Sequence, residues 1–238
     1  MDSTQYTTLA RQSGLKREMA IIANNIANIS TTGYRGEGLV FSEFVQTTGL
    51  GQPSISMTDT GAKNTNFSQG VLRETGGTFD MAIEGEGFFQ IAAPEGVRLT
   101  RAGAFEPNAN GELVTPDGYA LLDAGGAPVF IPPDARSIAL AADGTLSADG
   151  RPLTNIGMVV PVEPELMERA KGVSFIPNGE VAPAENATVH QGFVEGSNVN
   201  PIVEVARMIE VQRRYESAKS FLEKEDDRVK TVIQTLGR

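Results

Sequence analysis

Few side chains in this 238-residue sequence stand at a spacing that could do chemistry. Glu84 and Glu86 put two carboxylates on one face of a strand-like run. Flanking a cleft, such a pair could act as the acid and nucleophile of a glycosidase. Beside Gly85 and Gly87 they read more simply as solvated turn residues. His190 is the only histidine, and no Gly-x-Ser-x-Gly elbow accompanies it, so the frame of a catalytic triad is missing. Gly85-x-Gly87 lacks the third glycine and the following helix of a dinucleotide loop, and there is no P-loop. Asn108-x-Asn110-Gly111 echoes the start of a calcium loop without its bidentate Glu. The absence of Cys removes thiol nucleophiles, disulfides and Cys/His zinc sites. Arg213-Arg214 could hold a phosphate, but Glu210 and Glu216 make an ion-pair face the simpler reading. The residues therefore imply no catalytic site, no cofactor and no metal.

The informative spacing belongs to the two ends. Leu15, Met19, Ile22, Ile26 and Ile29 recur at steps of four and three. Met208, Val211, Tyr215, Ala218, Leu222, Val229, Val232 and Leu236 form a second such seam, broken by Glu225. Such seams ask for a partner helix. The first helix is expected from Ser3 to Ile29, stopped by Asn28 through Gly33. The second is expected from Pro201, capped by Asn200 with Glu204 in its first turn, to Leu236. Its length of roughly 54 Å at 1.5 Å per residue is long for a globular domain. Ile202, Val205 and Ile209 lie off the main seam, so a helix pair leaves apolar flanks open. The ends are accordingly expected to fold fully only on assembly. Asn24, Asn25 and Asn28 crowd the end of the first helix, although Asn is a mediocre helix former. They read either as fraying or as polar groups that set register between packed helices.

The middle differs. Phe79–Ile83 and Gly87–Ile91 are short strand-like runs, and Asn110-Gly111, Asp117-Gly118, Asp143-Gly144 and Asp149-Gly150 are hairpin dipeptides. Residues 34–70 read as an extended connector with scattered Phe41, Phe44, Val45, Leu50 and Phe67. The expected fold class is α+β: long N- and C-terminal helices pairing as a coiled-coil-like assembly domain, and a central all-β domain built of hairpins. The boundaries are 1–33, 34–70, 71–194 and 195–238. The net charge of −10 sits wholly in residues 46–194, with eight basic and eighteen acidic side chains. That disfavours nucleic acid as a partner. No apolar run reaches membrane-spanning length, and no cleavable export signal is visible.

Ala23-Asn24-Asn25-Ile26-Ala27-Asn28-Ile29-Ser30-Thr31-Thr32-Gly33-Tyr34-Arg35 resembles the N-terminal signature of flagellar rod and hook proteins. Glu195-Gly196-Ser197-Asn198-Val199-Asn200-Pro201 and Met208 to Glu216 resemble their C-terminal signature. Phe79 to Ile91 and Leu99 to Phe105 match the middle. The resemblance spans nearly the whole chain. It implies a structural subunit of the proximal rod, with the distal rod as runner-up and no catalytic residue. It further implies export by the flagellar type III apparatus, residence in the rod crossing the periplasm, and contacts with other rod proteins and copies of itself. Terminal helices would line an export channel and transmit torque. The expected apolar assembly residues are Met19, Ile22, Ile26, Ile29, Met208, Val211, Tyr215 and Leu222, with Asn24, Asn25 and Asn28 setting register. Two other classes stay open on the residues: a secreted coiled-coil adhesin, and a cell-wall-acting enzyme using Glu84 or Glu86.

Overall fold

A computed structural model describes the backbone of residues 3–46 and 55–236. The side chains of residues 3–7, 41–46, 55–62 and 233 lie outside that description. The expected packing of Phe41, Phe44, Val45 and Leu50 therefore lies outside the described residues. The chain divides into two compact units. One comprises Met1–Ala27, Gly36–Asn66 and Asn200–Arg238, the other Asn28–Arg35 and Phe67–Val199.

The first unit contains helix α1 (Ser3–Ala27), strands β1 (Glu37–Gln46) and β2 (Ile55–Thr65), and the C-terminal helix, α2 (Pro201–Leu236). Local chemistry starts α2. The Asn200 side-chain oxygen accepts from the backbone N–H of Ile202 at 3.0 Å and of Val203 at 3.3 Å. This satisfies donors that have no partner inside the helix. Strands β1 and β2 pair antiparallel from Glu37↔Thr65 to Gln46↔Ile55, with a register shift between Leu39 and Phe41. The stretch read as an extended connector thus contains a two-stranded ribbon. It carries none of the Asn-Gly or Asp-Gly dipeptides that announce the other hairpins.

The coiled-coil-like pairing expected of the two ends is corrected. Among the described residues there is one N-terminal and one C-terminal helix, with a β-rich region between them in sequence and no sustained coiled-coil pairing. The helices share one local cluster, in which Leu15, Ile22 and Val211 are buried. Beyond it α2 runs on uncovered: Leu222 and Val229 are only half-buried, while Phe221, Val232 and Leu236 are exposed. The physical reason is length and company. Helix α1 has 25 residues against 36 in α2. It also packs on the ribbon of its own unit, so its apolar side is not reserved for a partner helix.

The second unit is all β apart from one 3-10 turn at Pro164–Leu166. Its strands are β3 (Leu72–Glu74), β4 (Met81–Glu84), β5 (Phe88–Ala93), β6 (Gly96–Thr100), β7 (Glu106–Pro107), β8 (Leu113–Val114) and β9 (Ala120–Leu121). There follow β10 (Ile138–Leu140), β11 (Thr145–Ala148), β12 (Arg151–Asn155), β13 (Met158–Pro161) and β14 (Glu168–Arg169). The last are β15 (Ser174–Ile176), β16 (Val181–Pro183), β17 (Thr188–Gln191) and β18 (Phe193–Glu195). The largest sheet runs β14-β15-β6-β5-β9-β8-β7, with β13 bridging β5 and β16. Strand β5 explains the core. Successive side chains point to opposite faces, and both faces are covered. Phe89 and Ile91 join Met81, Ile83, Phe105 and Leu121 on one side, while Phe88 joins Leu99, Val159 and Phe175 on the other. Phe67 packs edge-on to both Phe88 and Phe175.

Candidate assembly interface

The chemistry considered first stays peripheral. His190 Nε2 lies 2.7 Å from Glu84 Oε2, a partly exposed pair across β17 and β4. No third titratable group completes a metal set among the described residues. Among them, too, no helix is long and apolar enough to cross a membrane.

The residues of the two seams converge within one chain. Met19, Ile26, Met208 and Tyr215 pack as half-buried neighbours against buried Leu15, Ile22 and Val211. The 3.6-residue period puts them on facing stripes of α1 and α2. Leu222 is half-buried outside this cluster. Beside the stripe, Glu18 is buried and its Oε1 accepts from Arg207 Nη2 at 2.9 Å and Nε at 3.1 Å. That ion pair ties α1 to α2 and was not legible from helix periodicity, because it lies on the seam's edge.

The asparagines separate. Asn24 is exposed and lines a cleft with Arg17, Ile21, Glu37 and Lys63. Asn25 is buried, and its amide serves the ribbon. Its Nδ2 donates to the Glu37 carbonyl at 2.8 Å, and its Oδ1 accepts from the Glu37 N–H at 3.0 Å. The pair closes like a backbone rung and fixes where β1 leaves α1. Asn28 and Ile29 belong to the second unit and are half-buried there. The Asn28 Oδ1 accepts from the Thr31 hydroxyl at 3.1 Å, shaping the turn after α1.

In the second unit the two signature segments meet. The Gly33 N–H donates to the Glu195 carbonyl at 2.7 Å. Gly33 has φ of +70°, and a Cβ there would lie 2.2 Å from the Ala102 nitrogen, so only glycine fits. Glu195 is fully buried. Its Oε1 lies 2.7 Å from Arg35 Nη2 and accepts from the Gly70 N–H at 2.6 Å. Its Oε2 accepts from Arg101 Nη1 at 3.1 Å. Arg101 also donates to the Ile83 and Gly85 carbonyls and lies over the Phe88 ring. Arg169 donates to the Arg35 carbonyl and stacks on Tyr34 and Phe175. Two buried guanidiniums thus share a single carboxylate. Burial, with Arg35 nearby and against the pull of Glu195, brings Arg101 down to about 10. Nε and Nη1 of Arg35 find no hydrogen-bond acceptor among the described residues. The motifs contained these residues, but nothing in their spacing revealed a shared buried cluster.

Comparison with known proteins fits this arrangement. Residues 6–35 match the family model "Flagella basal body rod protein", residues 82–148 the "Flagellar hook protein FlgE/F/G D1 domain", and residues 190–235 the "Flagellar basal body rod FlgEFG protein C-terminal". The chain is 37% identical to "Flagellar basal-body rod protein FlgF" of Caulobacter vibrioides, over 100% of this chain and 99% of that one. It is 36% identical, with the same coverage, to the protein of that name in Mesorhizobium japonicum. To "Flagellar basal-body rod protein FlgG" of Bacillus subtilis it is 28% identical, over 96% and 97% of the two chains. The chain belongs to the FlgE/F/G family of flagellar rod and hook proteins. Within that family it is a structural subunit of the basal-body rod, like the FlgF rod proteins that match it from end to end.

Proposed function

We propose that this subunit sits in the proximal rod, that its terminal helices assemble helically around the export channel, and that they pass torque along the shaft. The observation that carries the reading is the open flank of α2. Ile202 is 80% exposed, and Val203, Val205 and Ile209 follow it into solvent. Apolar groups presented along one helix are characteristic of a surface awaiting protein. Open helical assembly requires heterologous contacts of this kind, one patch meeting a different patch on the neighbour. Packed helices resist torque because sliding one past another unpacks a whole stripe.

In this reading Met19, Ile22, Ile26, Met208, Val211 and Tyr215 stiffen the helix pair, and Leu222, Ile29, Asn24 and Asn28 are offered to neighbours. Those neighbours are copies of the chain and other rod proteins. The subunit has no catalytic role. It passes through the flagellar export apparatus and resides in the rod across the periplasm. The double substitution Ile202→Asp, Ile209→Asp tests the assembly step. The variant is expected to keep the wild-type circular dichroism spectrum yet to be absent from isolated basal bodies, with motility lost. Wild-type incorporation would overturn the reading.

A further inference from the structure

A second cleft in the first unit runs beside the helix pair. Thr8, Arg11, Arg213, Arg214, Ser217 and Phe221 line it, enclosing about 540 Å³. Its charge is one-sided. Arg214 pairs with Glu210 on its own helix, whereas Arg11 and Arg213 have no ion-pair partner among the described residues. Its lining is also partly apolar, with Ala218 and the 47% exposed Phe221. Between Arg213 and Phe221 the cleft extends about 12 Å, roughly two helical turns.

We propose that this cleft receives an acidic amphipathic helix from a different subunit of the same rod. The inference rests on the assembly reading above and names the partner for one face of it. A lining that combines guanidiniums with Ala218 and Phe221 suits a helix that presents an apolar stripe flanked by carboxylates. A free phosphate would use the arginines and leave Phe221 uncovered. A second copy is the poorer fit. Three of the four carboxylates in this chain's own Glu223–Asp227 segment are already paired within α2: Lys219 with Glu223, Arg228 with Glu225, and Lys230 with Asp226. The occupant is a helix whose negative charge is not already met.

The test places a benzophenone amino acid at Ser217 in the full chain, followed by irradiation of isolated basal bodies and peptide mapping. The cross-link is expected on a helical segment of another rod subunit that carries more acidic than basic residues. A cross-link to a second copy, to a neutral or basic segment, or to nothing in basal bodies that contain the chain overturns the proposal and leaves the rod assignment standing. A chain missing from basal bodies altogether, in the native form too, would overturn the assembly reading and this inference with it. A second measurement needs no probe. Arg11→Glu with Arg213→Glu is expected to lower incorporation at least tenfold, and Arg11→Lys with Arg213→Lys to retain it. Both positions are exposed, so the helix content should be unchanged. Equal incorporation of the charge-reversed pair overturns the proposal.

Discussion

The two units solve opposite problems. In the β unit one charged cluster is inside and engaged: Glu195 is fully buried and takes contacts from Arg35, Arg101 and Gly70. In the helical unit an apolar series along α2 is outside and open, from Ile202 through Ile209 to Phe221 and Val232. The buried cluster finds its opposite charges within its own unit. An exposed apolar flank loses free energy to water until something covers it. The contrast separates a part whose groups meet within the chain from a part whose apolar flank the described chain leaves uncovered. Both family signatures reach into the β unit through residues 28–35 and 195–199, and there they are used intramolecularly.

The largest expected break in this contrast is at Glu195. Glu195→Gln keeps the shape but leaves Arg35 and Arg101 buried without a counter-charge. Removing one partner of a buried ionic group costs about 3–5 kcal/mol. The urea midpoint of the β-sheet circular dichroism signal should fall accordingly. The exposed pair Arg214–Glu210 is the control, because such surface pairs are worth about 0–1 kcal/mol. Should Glu195→Gln prove as mild as Glu210→Gln, the β unit would not be held by its charge cluster and the contrast would fail.

A smaller effect is expected inside the helical unit, at its own internal joint. Asn25→Leu removes the two bonds that its amide makes to the Glu37 N–H and C=O, at about 0.5–1.5 kcal/mol for each. The Glu37 amide should then exchange faster by the corresponding factor while amides of β5 and β6 keep their protection. Equal loss of protection in both units would mean that they are not independent, and unchanged exchange at Glu37 would remove Asn25 as the joint.

Legibility in the sequence followed the range of the interaction. The start of α2 was written locally in Asn200-Pro201, and the hairpins in their dipeptides. Gly111, Gly118, Gly144 and Gly150 all adopt positive φ, with Asp149 beside them at +50°. The facing stripes of α1 and α2 were readable because period reports which side of a helix is apolar. It does not report what covers that side, which is why a sustained coiled coil was expected where one local cluster and a β ribbon stand. The Arg35–Glu195–Arg101 cluster was illegible for a related reason. Its members are far apart in the chain, and charged residues near glycines look like surface. Gly33, with its left-handed backbone against Ala102, and Gly70, against the Gly196 carbonyl, mark how closely these segments pack.

The mildest prediction concerns a turn of the β unit. Burial raises the Asp123 carboxyl, but bonds from the Ala127 N–H, the Thr154 hydroxyl and the Gly125 N–H outweigh it and hold the group below its ordinary 3.8. Its Oδ1 accepts from Ala127 at 2.8 Å and Gly125 at 2.9 Å, and its Oδ2 from Thr154 at 2.9 Å. A carboxyl lowered on folding adds stability above its unfolded value and loses it as pH falls through the folded value. The native chain should therefore lose stability relative to Asp123→Asn as pH drops below about 3.8, while near neutral pH the native chain is the more stable by about 1 kcal/mol or less. Paired thermal melts at pH 7 and pH 3 measure the difference directly. A gap that widens in favour of the native chain on acidification would reverse the sign and show that the carboxylate is not what these donors hold.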